Sequence, residues 1–336
     1  MATLDIFNND AFSVSSLTQT IVDLPRVPTL LGDSGLFQEY GIPTLHMMIE
    51  RQGSGLKLVP TAPRGGVGQP VSLKGRKLIT VSAVHLPQTG SVLADEVQGI
   101  RAFGSETEVE TVQALVARKI AVMKGNLDLT LEYHRVGALQ GLVLDADGST
   151  ILDLYDRFDM VQETVFFDIE TATTTPGIKQ KHKEVIRAIR NALGGRSSTG
   201  VRALVSEEYF DMLTGHDELK AAYDLWQNGQ YLREQQNEAD FAFAGITYQV
   251  YSGGTDGADF IPAGKGYAYP TGVPDMFQTA FAPADYMETV NTMGVPYYAK
   301  QELMRMGKGV ELESQSNPIT LNTLPEVVIE LDAAAS

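Results

Sequence analysis

The sequence predicts an α+β fold in which a long helix and a long β-hairpin lie beside a compact mixed domain. Three observations predict it: an apolar repeat at steps of three and four residues over 105–141, β-rich runs flanking a Gly/Pro cluster within 44–87, and alternating helices and strands over 185–290. A chain of 336 residues is long enough for one elaborate domain or two ordinary ones.

The long helix is the strongest local signal. Ser105 followed by Glu108 is a capping box, and the sequence predicts a helix over 106–140. About 35 residues at 1.5 Å each give a rod of roughly 50 Å, which we interpret as a structural spine. Gly125 is expected to cost about 1 kcal/mol relative to alanine and to allow a bend. The apolar positions predicted to face a core are Val109, Val112, Val116, Ile120, Met123, Leu127 and Leu131.

The predicted hairpin over 44–87 has an unusual charge. Between Arg51 and Ala94 the sequence has six basic residues and no Asp or Glu, although the whole chain carries a formal charge of −16; the remainder therefore sums to −16 − 6 = −22. A two-stranded ribbon is at best marginally stable alone in water, so we expect it to lie on the acidic surface of another copy. The predicted contact residues are Arg51, Lys57, Arg64, Gly65, Gly66, Lys74, Arg76 and Lys77.

Two other interpretations of this basic segment stay open. It could be a solvated loop whose charges serve solubility. It could also be a nucleic-acid groove, but no Phe, Tyr or Trp lies between 51 and 94 to stack on bases.

Residues 1–43 are predicted to form an N-terminal arm that is draped over other structure. Ser15 or Ser16 is a candidate N-cap for a short helix that Pro25 ends, and the following residues are punctuated by glycine and proline. Asp147-Gly148 between two β-rich runs predicts a tight hairpin turn. A later helix that begins near Lys181 should be closed by Gly194 and Gly195.

The composition, with 43% hydrophobic and 20% charged residues, is that of a folded globular protein. No segment approaches the roughly 18 apolar residues that span a bilayer, and Met1–Asp10 lacks the regions of a signal peptide, so we expect a cytosolic protein that is not bound to a membrane. The absence of cysteine excludes disulfides, thiol nucleophiles and cysteine-bound metals.

No catalytic, metal-binding or cofactor-binding residue is predicted. The segment GRSSTGVR at 195–202 lacks the lysine of a phosphate-binding loop, and the five histidines are scattered singly. No G-x-S-x-G nucleophile elbow is present. Acidic residues are so numerous that a hydrolase using a pair of carboxylates stays open as a second class of function.

Several segments, in order along nearly the whole chain, resemble the lambda-type phage major capsid protein E family. The hairpin tip LVPTAPRGGVG and the segment LDADGSTILDLYDRF that follows the long helix are the most specific of them. The other matching segments are DIFNNDAFSVSSLTQTIVDLPRVPTLLGDSGLF, YSGGTDGADFIPAGKGYAYP and SQSNPITLNTLPEVVIEL.

The resemblance implies a Hong Kong 97-type capsid fold: an N-terminal arm (1–43), an extended loop (44–87), a peripheral domain with the spine helix (88–185 and 295–336) and an axial domain (186–294). It also implies a tailed-phage head subunit that forms hexamers and pentamers around double-stranded DNA, without sequence-specific binding. A decoration protein, a scaffold and a portal are the implied further partners, and the implied location is the virion capsid, with the host cytoplasm during assembly. An encapsulin-like shell around cargo enzymes is the alternative with the same fold.

Overall fold

The computed structural model describes residues 13–25, 29–51, 77–98, 108–169, 177–228, 240–255 and 258–334. The helices in these residues are α1 (Val14–Asp23), α2 (Leu30–Asp33), α3 (Ala94–Gln98), α4 (Glu108–Gln140), α5 (Leu154–Phe158), α6 (Ile178–Leu193), α7 (Glu207–Gly215) and α8 (Asp217–Asn228). The strands are β1 (Gln38–Gly41), β2 (His46–Arg51), β3 (Lys77–Ser82), β4 (Leu86–Leu93), β5 (Leu142–Leu144), β6 (Thr150–Asp153), β7 (Glu163–Phe166), β8 (Gly200–Val205), β9 (Asp240–Phe243), β10 (Ile246–Val250), β11 (Gly254–Thr255), β12 (Ala258–Asp259), β13 (Lys265–Thr271), β14 (Phe277–Phe281), β15 (Tyr298–Leu303), β16 (Gly309–Ser316), β17 (Pro318–Asn322) and β18 (Ile329–Asp332).

Helix α4 is the longest element and runs through Gly125 without interruption. Its amino-terminal half packs on the three-stranded sheet β15-β16-β4. The predicted core positions from Val116 onward are confirmed as buried, and with Leu17 and Ile21 of α1 they form one hydrophobic cluster with that sheet. The side chains of Val109 and Val112 lie outside the described residues. Farther along α4, Val136 and Leu139 enter a second and larger core.

The larger core lies around a six-stranded mixed sheet with the order β7-β18-β13-β8-β10-β9. Strands β7 and β18 lie outside the range 186–294 and enter this sheet as a parallel pair, with β18 antiparallel to β13. Helix α6 packs its apolar face on the sheet and ends at Gly194, which has a φ of 59°, a left-handed conformation that glycine adopts without strain. The sheet therefore combines strands from within 186–294 with β7 and β18, which are distant from them in sequence.

The described part of the N-terminal arm is built into the rest of the molecule. Helix α1 begins after Ser13, whose side chain accepts a hydrogen bond from the backbone N–H of Ser16, so the expected N-cap at Ser15 or Ser16 is wrong by two or three residues. Strand β1 pairs in parallel with β14 and completes a sheet with β17. It ends at Gly41, where a Cβ atom would lie 2.1 Å from the carbonyl oxygen of Gly294. Only glycine fits this close approach of two backbones.

Strands β2 and β3 form an antiparallel ribbon with Arg51 opposite Lys77 in its outermost described rung. The chain then leaves the ribbon, because β4 pairs with β16 rather than continuing along β2. Asp147 and Gly148 make the turn between β5 and β6, as predicted, and Gly148 has a φ of 82°.

Candidate functional site

The predicted contact residues lie on the ribbon, and the structure describes part of it. Arg51 and Lys77 are cross-strand neighbours in the backbone register. The positions between them, 52–76, lie outside the described residues; they include Lys57, Arg64, Gly65, Gly66, Lys74 and Arg76. The candidate site can therefore be built from the root of the ribbon, which we define as residues 46–49 and 78–82.

The root of the ribbon has two different faces. Ile79 and Val81 are buried, and Met47 and Ile49 pack beside them against the large core of the same chain. Side chains alternate across a strand, so the intervening residues point the other way. Met48 and Leu78 are diagonal neighbours on this outer face, 67% and 61% exposed. The root of the ribbon is therefore supported by the core of its own chain, and the contact with a neighbouring copy stays a prediction.

A cleft of about 620 Å³ opens at the foot of the ribbon. Leu45, which is 58% exposed, and His46 line one wall, and Asp285 and Val290 belong to the other. His85 lies between them, with Nδ1 2.8 Å from Oδ1 of Asn317 and Nε2 3.9 Å from Oδ2 of Asp285. Leu45, which directly precedes β2, gives this cleft an exposed apolar side chain.

A row of buried charged residues on α4 holds the arm in place. The row consists of Lys124, Asp128, Glu132 and Arg135, all at most 6% exposed. The Lys124 ammonium donates to the carbonyl oxygen of Leu24 and lies 5.0 Å from the centre of the Tyr297 ring. Asp128 accepts a hydrogen bond from the hydroxyl of the same tyrosine. These groups are buried and charged, so their partners are needed to offset their desolvation.

Glu132 and Arg135 bind the second part of the arm. The Glu132 carboxylate accepts hydrogen bonds from the backbone N–H groups of Leu31, at 2.7 Å, and Gly32, at 3.0 Å. It also accepts from the Tyr251 hydroxyl at 3.4 Å, and burial, followed by the charge of Glu132, raises the pKa of that tyrosine. Arg135 lies over the Phe37 ring, 5.8 Å from its centre. One helix face thus contacts the arm at Leu24, at Leu31 and Gly32, and at Phe37.

Sequence reasoning missed this charged row, although its spacing was visible. Lys124, Asp128 and Glu132 follow one another at steps of four residues, and each comes directly after one of the predicted core residues Met123, Leu127 and Leu131. On a helix this spacing places the three charges in a stripe next to the apolar stripe. Nothing in the spacing indicated that the stripe would be buried under the arm.

The described part of the chain offers surfaces for association. Among the described residues no cluster of three or more His, Asp or Glu could hold a metal ion. No described helix is both long and apolar enough to cross a membrane. These surfaces are the exposed apolar face of the ribbon, the cleft at the foot of the ribbon and the arm that is bound to the long helix.

Comparison with known proteins decides what kind of association this is. The sequence model of the family described as "Phage major capsid protein E" matches residues 13–333. The chain belongs to the phage major capsid protein E family. The chain is 28% identical to the major capsid protein of Pseudomonas phage KPP10, over 96% of this chain and 97% of that protein. It is 23% identical to the major capsid protein of Salmonella phage Felix O1 (isolate Felix O1-VT1), with the same coverage.

A solved structure shows the same fold. The bacteriophage PhiM1 mature capsid contains a chain that is 14% identical and superimposes with a TM-score of 0.51, covering 94% of this capsid protein and 90% of that chain. The fold is of the Hong Kong 97 type, as the resemblance implied. This phage major capsid protein is a structural component of the virion and not an enzyme, which decides against both the hydrolase and the cellular shell protein.

Proposed function

We propose that this phage major capsid protein builds an icosahedral head in which the basic ribbon of each subunit lies on an acidic surface of its neighbour. The observation that carries the proposal is the contrast within the ribbon. Its root is held by Ile79 and Val81 on the same chain, while the 44 residues from Arg51 to Ala94 carry six cations and no carboxylate. The root, packed on its own core, sets the direction of the ribbon. The positive charge of the ribbon favours contact with another copy, whose remaining residues carry a net charge of −22.

Exposed apolar groups on the root and directly before it support the same contact. Leu45, Met48 and Leu78 are all more than half exposed. Such a surface is typical of a protein interface, because burial of apolar area provides affinity while the charges provide register. Obligate assemblies bury roughly 2,000–5,000 Å² per interface, and a projecting ribbon increases the contact area for each residue.

The rest of the architecture follows the division that the resemblance implies. Residues 1–43 act as the arm, 44–87 as the extended loop, 88–185 with 295–336 as the peripheral domain and 186–294 as the axial domain. The subunits form hexamers and pentamers that enclose double-stranded DNA without reading its sequence. A decoration protein, a scaffold and a portal are the proposed further partners. The net negative charge suits a container from which DNA must slide freely.

Charge reversal at the ribbon tip tests the proposal. The variant Arg64→Glu/Lys74→Glu/Arg76→Glu should fold normally by circular dichroism but lose at least nine-tenths of its shells in electron micrographs and sedimentation profiles. The neutral variant Arg64→Gln/Lys74→Gln/Arg76→Gln should lose fewer. As a control, Arg157→Glu/Arg305→Glu/Lys308→Glu makes the same change in net charge on exposed residues away from the ribbon. Normal shell yield from the first variant would show that the ribbon is not a charged contact between subunits.

A further inference from the structure

Helix α6 presents a second basic surface, distinct from the ribbon. Its buried face contains Ile178, His182, Val185, Ile189 and Leu193. An exposed side of the helix that borders this face carries Lys179, Lys183, Arg187 and Arg190 at steps of three and four residues. At 1.5 Å per residue they form a stripe about 16 Å long. We call these four residues the α6 basic stripe.

The α6 basic stripe forms no ion pair with a described carboxylate. The ion pair recorded on this helix joins Lys181 and Glu184 at 3.6 Å, beside the stripe. Lys179 lies 6.0 Å from the centre of the Phe243 ring, and no ion pair with a described carboxylate is recorded for the stripe. A row of cations without a counter-charge among the described residues, on a strongly acidic protein, is a surface that attracts negative charge.

The same part of the molecule carries a matching acidic surface on the next two helices. It consists of Glu207, Glu208 and Asp211 of α7 and Asp217 and Asp224 of α8, all exposed and without a recorded ion pair to a described residue. Lys220 is the basic residue among them. The rings of His182 on α6 and Tyr209 on α7 both contact Phe167, at 5.4 and 5.9 Å, so these helices lie on one side of the sheet. We call these five carboxylates the α7–α8 acidic surface.

We infer that the α6 basic stripe of one subunit binds the α7–α8 acidic surface of a second copy. Among the described residues no ion pair joins the two surfaces, so we expect each to meet a neighbouring copy. When a subunit uses its two patches on two different neighbours, the contact is heterologous, and it builds a closed ring if the rotation between subunits closes. Each exposed ion pair contributes only about 0–1 kcal/mol, but a ring makes all of its contacts together. The inference deepens the proposed head assembly without depending on the ribbon.

Packaged DNA is the other partner that a basic stripe could bind, and the structure favours a protein. The Glu218 carboxylate accepts a hydrogen bond from the backbone N–H of Lys179 at 3.3 Å, so α8 begins directly beside the stripe. Phosphates lying along the stripe would therefore approach the α7–α8 acidic surface and be repelled. A second copy avoids this conflict, because it carries both charges and can place basic residues of its own toward the neighbouring carboxylates, which a uniformly negative polymer cannot do.

A charge exchange tests the inference. Lys183→Glu/Arg187→Glu and Asp211→Lys/Asp224→Lys alter residues outside the terminal helical turns, where reversed charges would oppose the helix dipole. Each double variant should fold normally, yield at least fivefold fewer shells and form fewer rings. The variant that combines all four substitutions should recover most of the yield, because the attraction is restored with opposite signs. Arg157→Glu/Arg305→Glu, with the same net charge of −16 − 4 = −20 as the first variant, controls for bulk repulsion.

Three results would overturn the inference. Both double variants could yield shells in normal numbers, or the combined variant could show no recovery. Alternatively, Lys183→Glu/Arg187→Glu could form shells in normal numbers that contain less DNA. The last result would assign the stripe to nucleic acid. If a reversal variant misfolds, Lys183→Gln/Arg187→Gln provides a milder change that should lower the yield by a smaller factor. If these variants contradict the inference while charge reversal in the ribbon still blocks shell formation, the proposed function stands, because the two experiments alter different surfaces.

Discussion

The guanidinium of Arg135 binds the carboxylate of Glu39, with 2.6 Å between Nη2 and Oε1. The arginine side chain is 4% exposed and the glutamate 26%, so the pair is largely shielded from water. It joins the long helix of this phage capsid protein to the strand with which the arm enters the β14–β17 sheet. Arm and helix are therefore held together by charge as well as by apolar packing.

Removing one partner of this pair should destabilise the subunit. Glu39→Gln leaves the buried guanidinium without its counter-charge and should lower the free energy of unfolding by about 1–3 kcal/mol. Arg135→Met should cost at least as much, and the double variant should cost less than the sum of the two. Urea unfolding of the unassembled chain measures all three. Strict additivity would mean that the two groups do not stabilise each other.

Glu132 should be needed to hold the arm on the helix. Glu132→Gln replaces a carboxylate that accepts two backbone N–H bonds with a neutral amide, and we expect a loss of about 1–3 kcal/mol. Limited proteolysis should cut the arm several times faster in this variant. Glu302→Gln, at an exposed position, is the matched control and should behave as the unchanged protein. Equal cleavage rates in both variants would contradict the assigned role.

Acid should destabilise the subunit partly through His134. Burial lowers the pKa of this histidine to about 4 from its usual 6.5, although the charge of Asp145 opposes the shift. The unfolded chain binds a proton here below about pH 6.5 and the folded chain only below about pH 4, so stability is lost as the pH falls through this interval. The loss attributable to His134 is on the order of 3 kcal/mol.

The histidine contribution can be isolated by substitution. His134→Gln cannot titrate, so its unfolding free energy should fall less steeply between pH 6.5 and 4 than that of the unchanged chain. Parallel curves for His134→Gln and the unchanged chain would show that His134 is not the titrating group.

Adjacent residues on the ribbon should separate folding from assembly. Ile79→Ala removes buried side-chain atoms and should cost about 2–5 kcal/mol of subunit stability. Leu78→Ala, on the exposed face, should change stability by no more than about 0.5 kcal/mol but reduce shell yield. Thermal unfolding of unassembled chains and particle counts provide the two measurements. Normal shell yield for Leu78→Ala would exclude the outer face from the interface.

Much of the local structure followed from the sequence because periodicity and turn chemistry are local properties. The repeat from Val116 to Leu131 predicted the buried face of α4, and Asp147-Gly148 predicted the β5–β6 turn. The N-cap of α1 was misplaced because Ser13, Ser15 and Ser16 are chemically equivalent candidates. Only the three-dimensional backbone selects among them.

What the sequence by itself determined was the long helix, the basic ribbon segment and, through its family-specific segments, the family. Tertiary structure alone decided which charges are buried and which are free. Lys124 and Lys183 are both lysines on helices, yet one is 2% exposed beneath the arm and the other belongs to the open face of α6. The difference arises because burial depends on contacts between segments about 100 residues apart, such as Leu24 with Lys124, and no local pattern encodes them.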